Sequence, residues 1–140
     1  MSDYIEGYVA PKNYVLIAQK AIVINEKNEL LFLKRSEKSG EKGRWDFCGG
    51  GLDKNEDPIE GIKREIKEES GLEVTDIKPI AVTSYDQKDS VVMIGYQARA
   101  TTNNVTLSWE HDEYHWISYE EALELDVVIF FKTMLSSLHI

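Results

Sequence analysis

Three glutamates within five residues, Glu65, Glu68 and Glu69, follow a run of glycines in a segment that reads GGLDKNEDPIEGIKREIKEESGL from Gly50. On a helical wheel of about 100 degrees per residue with Ile59 at the origin, Ile62 and Ile66 share its side and define a core face. Glu65, Glu68 and Glu69 fall on the arc beside that face, and Glu60, Lys63, Arg64 and Lys67 on the other side. Glu60 can pair with Lys63 and Arg64, whereas no basic residue of the helix comes into register on the acidic arc. Like charges at this spacing cost roughly 0.2–0.5 kcal/mol per pair, and partial burial raises the cost. A hard divalent cation offsets it, because carboxylate oxygens are the ligands magnesium prefers. The competing reading is a solvated face of an acidic protein. Gly61 lies on the same arc and costs a helix about 1 kcal/mol relative to alanine. Either its missing side chain leaves room for a ligand or a loop, or the helix tolerates it.

Such a helix needs a frame. Asp57 is a good N-cap, Pro58 suits the first helical position and Gly71 is a natural stop. Ahead of it, SEKSGEKGRW and WDFCGGGLDKNED read as loops, the second with glycines that free its backbone. The runs YVLIAQKAIVI from Tyr14 and LLFLKR, separated by NEKNE, read as two strands of a hairpin. After the helix, VTDIKPIAVTSYD and SVVMIGYQARA are β-branched and bounded by DQKD and TTNN, so both read as strands, and a short strand ends in YHWI. Ser118 with Glu121 forms a capping box that opens a helix through Leu125. VVIFFKTMLSSL follows as another helix or its continuation, with the break at Asp126. The order β, β, helix, β, β, helix predicts a mixed α/β or α+β sandwich with at least part of the sheet antiparallel. Residues 1–12, closed by Pro11, are expected to be an edge strand or an ordered arm.

The totals bound the class. With 140 residues, 42% of them apolar, residues 1–140 are expected to form one domain with a real core. A formal charge of -9 disfavours a general nucleic-acid binder, which gains affinity by neutralising phosphates. Cys48 has no partner for a disulfide, and MSDYIEGYVAP lacks a basic-then-apolar signal, which points to the cytoplasm. No apolar run approaches the roughly 20 residues that span a bilayer, so no membrane partner is expected.

Gly50, five residues, Glu56, seven residues, Arg64 Glu65 Ile66, one residue, Glu68 Glu69, one residue, Gly71 Leu72: this spacing resembles the Nudix signature at all nine specified positions across 23 residues. The likeness extends to the strand pair, to Arg44 and Trp45 before the glycines, and to EHDEYHWISYEEALEL, covering about residues 15 to 125. It implies an α/β/α sandwich and a hydrolase of a nucleoside diphosphate linked to another moiety, dependent on Mg2+ or Mn2+. Carried over, Glu65, Glu68 and Glu69 hold the metals, with the Gly49 carbonyl as a further ligand. Glu65 instead, or also, handles the attacking water. Glu56 and Arg64 pair to tie loop to helix, a pairing that competes with Glu60 to Arg64 on the wheel; Gly50 and Gly71 are structural. Glu110 stands six residues before Trp116, where similar proteins carry an acidic residue that reaches the metal site, with Asp112 and Glu113 as competitors. Arg35 and Arg44 are candidates for substrate phosphates. Cys48 stands where many members have proline, and no histidine lies nearby in sequence to activate it as a nucleophile. His111, His115 and His139 show no metal-site spacing and receive no role. The resemblance admits a homodimer, with the N-terminal arm as the candidate for exchange.

A pyrophosphate repels nucleophiles, so an acidic protein must recruit cations to cleave it. The predicted reaction is attack of water on phosphorus, stabilised electrostatically and without a covalent intermediate. The substrate expected is a nucleoside triphosphate, modified or not, because the chain is compact; the alternatives are a nucleotide sugar or ADP-ribose. The rival from another class is a non-catalytic sensor that binds nucleotide, although such modules are expected to have lost box carboxylates and all are present here. A calcium-binding protein is weaker, since no loop shows the alternating Asp and Asn ligands of an EF-hand.

Overall fold

The computed structural model describes residues 6–9, 14–86 and 89–140. The expected N-terminal arm or edge strand therefore falls mostly outside the described residues. The elements run β1 (Leu16–Ile24), β2 (Leu30–Arg35), β3 (Trp45–Asp46), β4 (Cys48–Gly51), α1 (Pro58–Ser70), β5 (Val74–Asp86), β6 (Ser90–Ala100), β7 (His111–Ile117), α2 (Tyr119–Ala122) and α3 (Ile129–Ser136).

The stretches Ala21–Ile24 of β1 and Leu30–Leu33 of β2 are buried throughout, because both faces of the sheet are covered. Ala21, Val23, Leu31 and Leu33 point to one side and pack with Ile62 and Ile66 of α1. Ile22, Ile24, Leu30 and Phe32 point to the other, into a cluster with Phe130, Phe131, Met134 and Leu135 of α3. Alternation along the strands thus feeds two cores, one per helix layer, which is the expected mixed sandwich.

The sheet order is β3-β2-β1-β6-β5, with β4 also on β1 and β7 on β2. β1 and β6 run parallel, Leu16 opposite Val91 and Ile24 opposite Arg99, and the remaining pairs are antiparallel. The expected hairpin forms, but β1 and β2 pair only at Ile24 and Leu30 before they splay. Residues 45–51 fill the fork, β3 lying on β2 and β4 on β1. This corrects the loop expected for WDFCGGG: tertiary pairing, not intrinsic propensity, makes these glycines a strand.

α1 obeys its local signals. The Asp57 side chain accepts hydrogen bonds from the amides of Ile59 and Glu60, and Gly71 closes the helix in the left-handed conformation with φ 75°. Ile59 departs from the core face assigned to it and is exposed, whereas Ile62 and Ile66 are fully buried. Near the C-terminus the Ser118 hydroxyl caps α2 by accepting from the Glu121 amide, but the helix stops at Ala122, short of the expected Leu125. α3 is a separate helix, not a continuation, and begins after Asp126. Among the described residues, no helix is long and apolar enough to cross a membrane.

Candidate functional site

α1 lies over the fork, and its last turn delivers Glu69 to β4. The Glu69 side chain is 1% exposed, and its carboxylate accepts from the Gly49 amide at 3.2 Å. Because the amide of Leu52 donates to the Ile17 carbonyl, the alternation of an antiparallel pair turns the Gly49 amide away from β1 and toward the helix. A Cβ on Gly49 would overlap the Gln19 carbonyl, so only glycine allows this close pairing. A Cβ on Gly50 would stand 2.8 Å from the Glu65 carboxylate, which rests on the bare backbone there. The glycine run is thus a floor for two glutamates.

Burial pushes the Glu69 carboxyl well above its ordinary value; the charge of Lys20 opposes this, while the Glu65 contact and the charges of Glu110 and Glu65 add to it. The dominant cause is desolvation of an anion. The half-buried Glu110 is the carboxylate outside the helix that bears on Glu69. Its competitors point elsewhere: Asp112 is exposed, and Glu113 contacts His115 at 2.7 Å on the surface. Glu68 is more exposed than Glu65, with a side-chain exposure of 57% against 13%.

Arg64 corrects the wheel, on which the acidic arc had no basic neighbour. It grips Glu56 with two bonds, 2.7 Å from Nε and 3.1 Å from Nη2, and its Nη1 contacts both Glu65 and Glu68 at 3.2 Å. Its reach along the helix and across to the loop exceeds what the position of its Cα on the wheel suggests. Of the two competing pairings, Glu56 to Arg64 forms, while Glu60 approaches Lys63 at 4.0 Å. The space at Gly61 goes to the loop: a Cβ there would meet Leu52 at 2.7 Å and Glu56 at 3.0 Å.

Below Glu69 lies a polar cluster that sequence reasoning missed. Asp46 accepts from Lys20 at 2.9 Å, from Arg35 at 3.2 Å and from its neighbour's Phe47 amide at 2.9 Å, and its Oδ2 lies 2.8 Å from Nε2 of His111. Burial would raise its carboxyl, but the His111 hydrogen bond and the Lys20 charge outweigh it and hold the pKa at about 2. His111 was given no role from its spacing, yet its side chain is fully buried between Asp46 and Glu69. The available signal was Lys20, the one charge in a strand that is apolar except for Gln19, which demands a buried partner.

Arg35 is engaged with Asp46 and with the carbonyls of Ser39 and Gly40, rather than standing free. Arg44 pairs with Glu41 at 2.6 Å and is half-exposed. Both arginines, with Lys20, Trp45 and Asp46, line a cavity of about 180 Å³. Arg44 and Trp45 also line an adjoining cavity of about 480 Å³ that reaches Asp126. The Cys48 thiol is buried and burial pushes its pKa up, which leaves no thiolate for nucleophilic chemistry.

The donor set fits a hard divalent cation: carboxyl oxygens of Glu65, Glu69 and Glu110 gather beside the glycine backbone, and burial disfavours the Glu69 anion more than Lys20 favours it, a deficit a bound cation would relieve. Among the described residues no three acidic, His or Cys side chains are drawn into a ready-made cage. Glu65 and Glu68 are held to one side by Arg64.

A family model described as the NUDIX domain matches residues 16–138. A CTP pyrophosphohydrolase of Escherichia coli (strain K12) is 26% identical over 109 residues, 78% of this chain and 81% of that protein. The nucleoside triphosphatase NudI of Enterobacter sp. (strain 638) is 28% identical over 118 residues, 76% and 84% of the two chains. The crystal structure of a MutT protein from Methanosarcina mazei Go1 superposes with a TM-score of 0.75 at 31% identity, covering 91% of this chain and 94% of that one.

Proposed function

The chain belongs to the Nudix family, and from that membership we propose that it is a metal-dependent pyrophosphohydrolase whose substrate is a nucleoside triphosphate, modified or not. The observation that carries this reading is the buried Glu69 on the Gly49 amide, beside Glu65 on the bare backbone of Gly50. The activities for which the relatives above are named, on CTP and on nucleoside triphosphates, support the choice of substrate.

In this reading Glu65, Glu68, Glu69 and Glu110, with the Gly49 carbonyl, hold Mg2+ or Mn2+. When bound, the cation neutralises phosphate oxygens and lowers the pKa of water. The chain's own residues do the rest. Glu65 or a neighbouring glutamate accepts a proton from the attacking water, whose oxygen forms a bond to phosphorus as the bond to the bridging oxygen breaks. The phosphate-containing leaving group departs with that oxygen. Arg44 at the cavity mouth meets substrate phosphate. Arg35 has a supporting part, because its contacts with Asp46 and the 39–40 carbonyls tie the cavity wall to the fork. Glu56, Arg64, Gly50 and Gly71 position the helix and loop.

The test is release of phosphate or pyrophosphate with Mg2+ from a panel of nucleoside triphosphates, nucleotide sugars, ADP-ribose and dinucleoside polyphosphates, run beside Glu69→Gln. Turnover of triphosphates that falls at least about a hundredfold in the folded variant is expected. Wild-type rates in Glu69→Gln would remove it from the metal site, and preference for nucleotide sugars or ADP-ribose would replace the substrate.

A further inference from the structure

We propose that His111 is a positioning residue that sets the direction of the Glu69 carboxylate, a role that rests on the metal-site reading above. The first residue of β7, it is fully buried on the floor of the site. Its Nε2 is fixed 2.8 Å from Asp46 Oδ2, and Asp46 is itself held by Lys20, Arg35 and the Phe47 amide. The backbone on either side is pinned too: the Glu110 carbonyl accepts from the Ser36 amide and the Ser39 hydroxyl, and the His111 amide donates to the Ser108 carbonyl. The ring therefore has one orientation, with Nδ1 turned toward Glu69.

That Nδ1 has no hydrogen-bond partner, although it is buried, and Glu69 Oε1 lies 3.7 Å away. Buried polar side-chain atoms are nearly always partnered, so an orphan at the edge of a site marks a contact completed in another state. The gap exceeds hydrogen-bond length by roughly half an ångström, which a small rotation of the Glu69 carboxylate closes. One oxygen of Glu69 then accepts from Nδ1–H of His111, whose Nε2–H donates to Asp46, and the other is directed at the cation. Asp46 acts through His111, and neither touches the substrate. Such support of ligating carboxylates governs metal affinity by about 10- to 100-fold.

Direct Mn2+ binding, read from the electron paramagnetic resonance of free Mn2+, tests this without turnover. Wild type is compared with His111→Ala, His111→Gln and His111→Asn, the asparagine offering a polar atom near the place of Nδ1. Affinity is expected to fall about tenfold or more in the alanine and glutamine variants and to recover partly in the asparagine variant. Equal affinities, or no recovery in asparagine, would overturn the positioning role while leaving the metal site standing. Absence of Mn2+ binding by wild type would overturn both. Should the variants not fold, the ring nitrogens of 15N-histidine wild type decide: the Nδ1 resonance of His111 is expected to move more than Nε2 on saturation with Mg2+, and unmoved resonances would overturn the proposal.

Discussion

Asp46 gathers two basic side chains, an imidazole and an amide around one buried carboxylate, and this support has a pH signature. Its pKa is depressed from the ordinary 3.8 to about 2 in the folded chain, so the folded state binds its proton later than the unfolded chain does. The stability it contributes is present above its ordinary value and is lost as the pH falls from there to about 2. The loss amounts to about 2 kcal/mol and should be read from urea unfolding across that range. Asp46→Asn is expected to flatten this part of the profile. The glutamates of the site could be read in advance because their spacing is local, one helix and one loop. Asp46, Lys20 and His111 could not, because they come from β3, β1 and β7, and only the pairing of those strands brings them together. Arg64 was legible as a partner of Glu56 but not as a partner of Glu65 and Glu68, since long side chains reach past their own arc.

Adjacent glycines of β4 serve different neighbours, and their substitution should separate folding from function. Gly49→Ala drives a methyl into the backbone of Gln19, which cannot yield without breaking the β1–β4 ladder. A loss of about 3 kcal/mol or more is expected in chemical denaturation. Gly50→Ala meets instead the end of the Glu65 side chain, which can swing aside. That variant should stay within about 1 kcal/mol of wild type while its turnover drops at least about tenfold; unchanged turnover would detach the Glu65 position from catalysis. The ends of α1 were legible from Asp57, Pro58 and Gly71, whose preferences are local. β3 and β4 were not, because strands so short and glycine-rich carry no periodic signal and exist only where the fork of β1 and β2 supplies an edge. α2 fell short of its expected end for the related reason that a capping box fixes a start but no stop.

For the molecule as a whole, the proposed metal site implies that a cation at Glu69 competes with its proton. The raised carboxyl holds that proton in the folded state at pH values where the unfolded chain has released it, so the unliganded protein loses stability as pH rises through this interval. Mg2+ takes the place of the proton and should raise the melting temperature more at mildly alkaline than at mildly acidic pH. Thermal melts with and without chelator at the two pH values check the sign; a larger Mg2+ effect in acid would contradict it. The mixed sandwich, by contrast, was legible in the order of the elements, and the apolar stretches Ala21–Ile24 and Leu30–Leu33 fill both of its cores.

β1 has a second bearing on the life of the chain. Its parallel partner β6 joins Leu16 to Val91, a closure across the whole signature segment, and the polar floor waits further still for His111. Contacts between residues this distant form late and slowly, after the entropy of closing the intervening chain has been overcome. A nascent chain that has emerged only as far as Leu72 therefore carries every residue of the signature but neither β6 nor His111. The polar floor under Glu69 is completed only when β7 pairs with β2, so a product truncated before His111 is expected to keep its glutamates without that support.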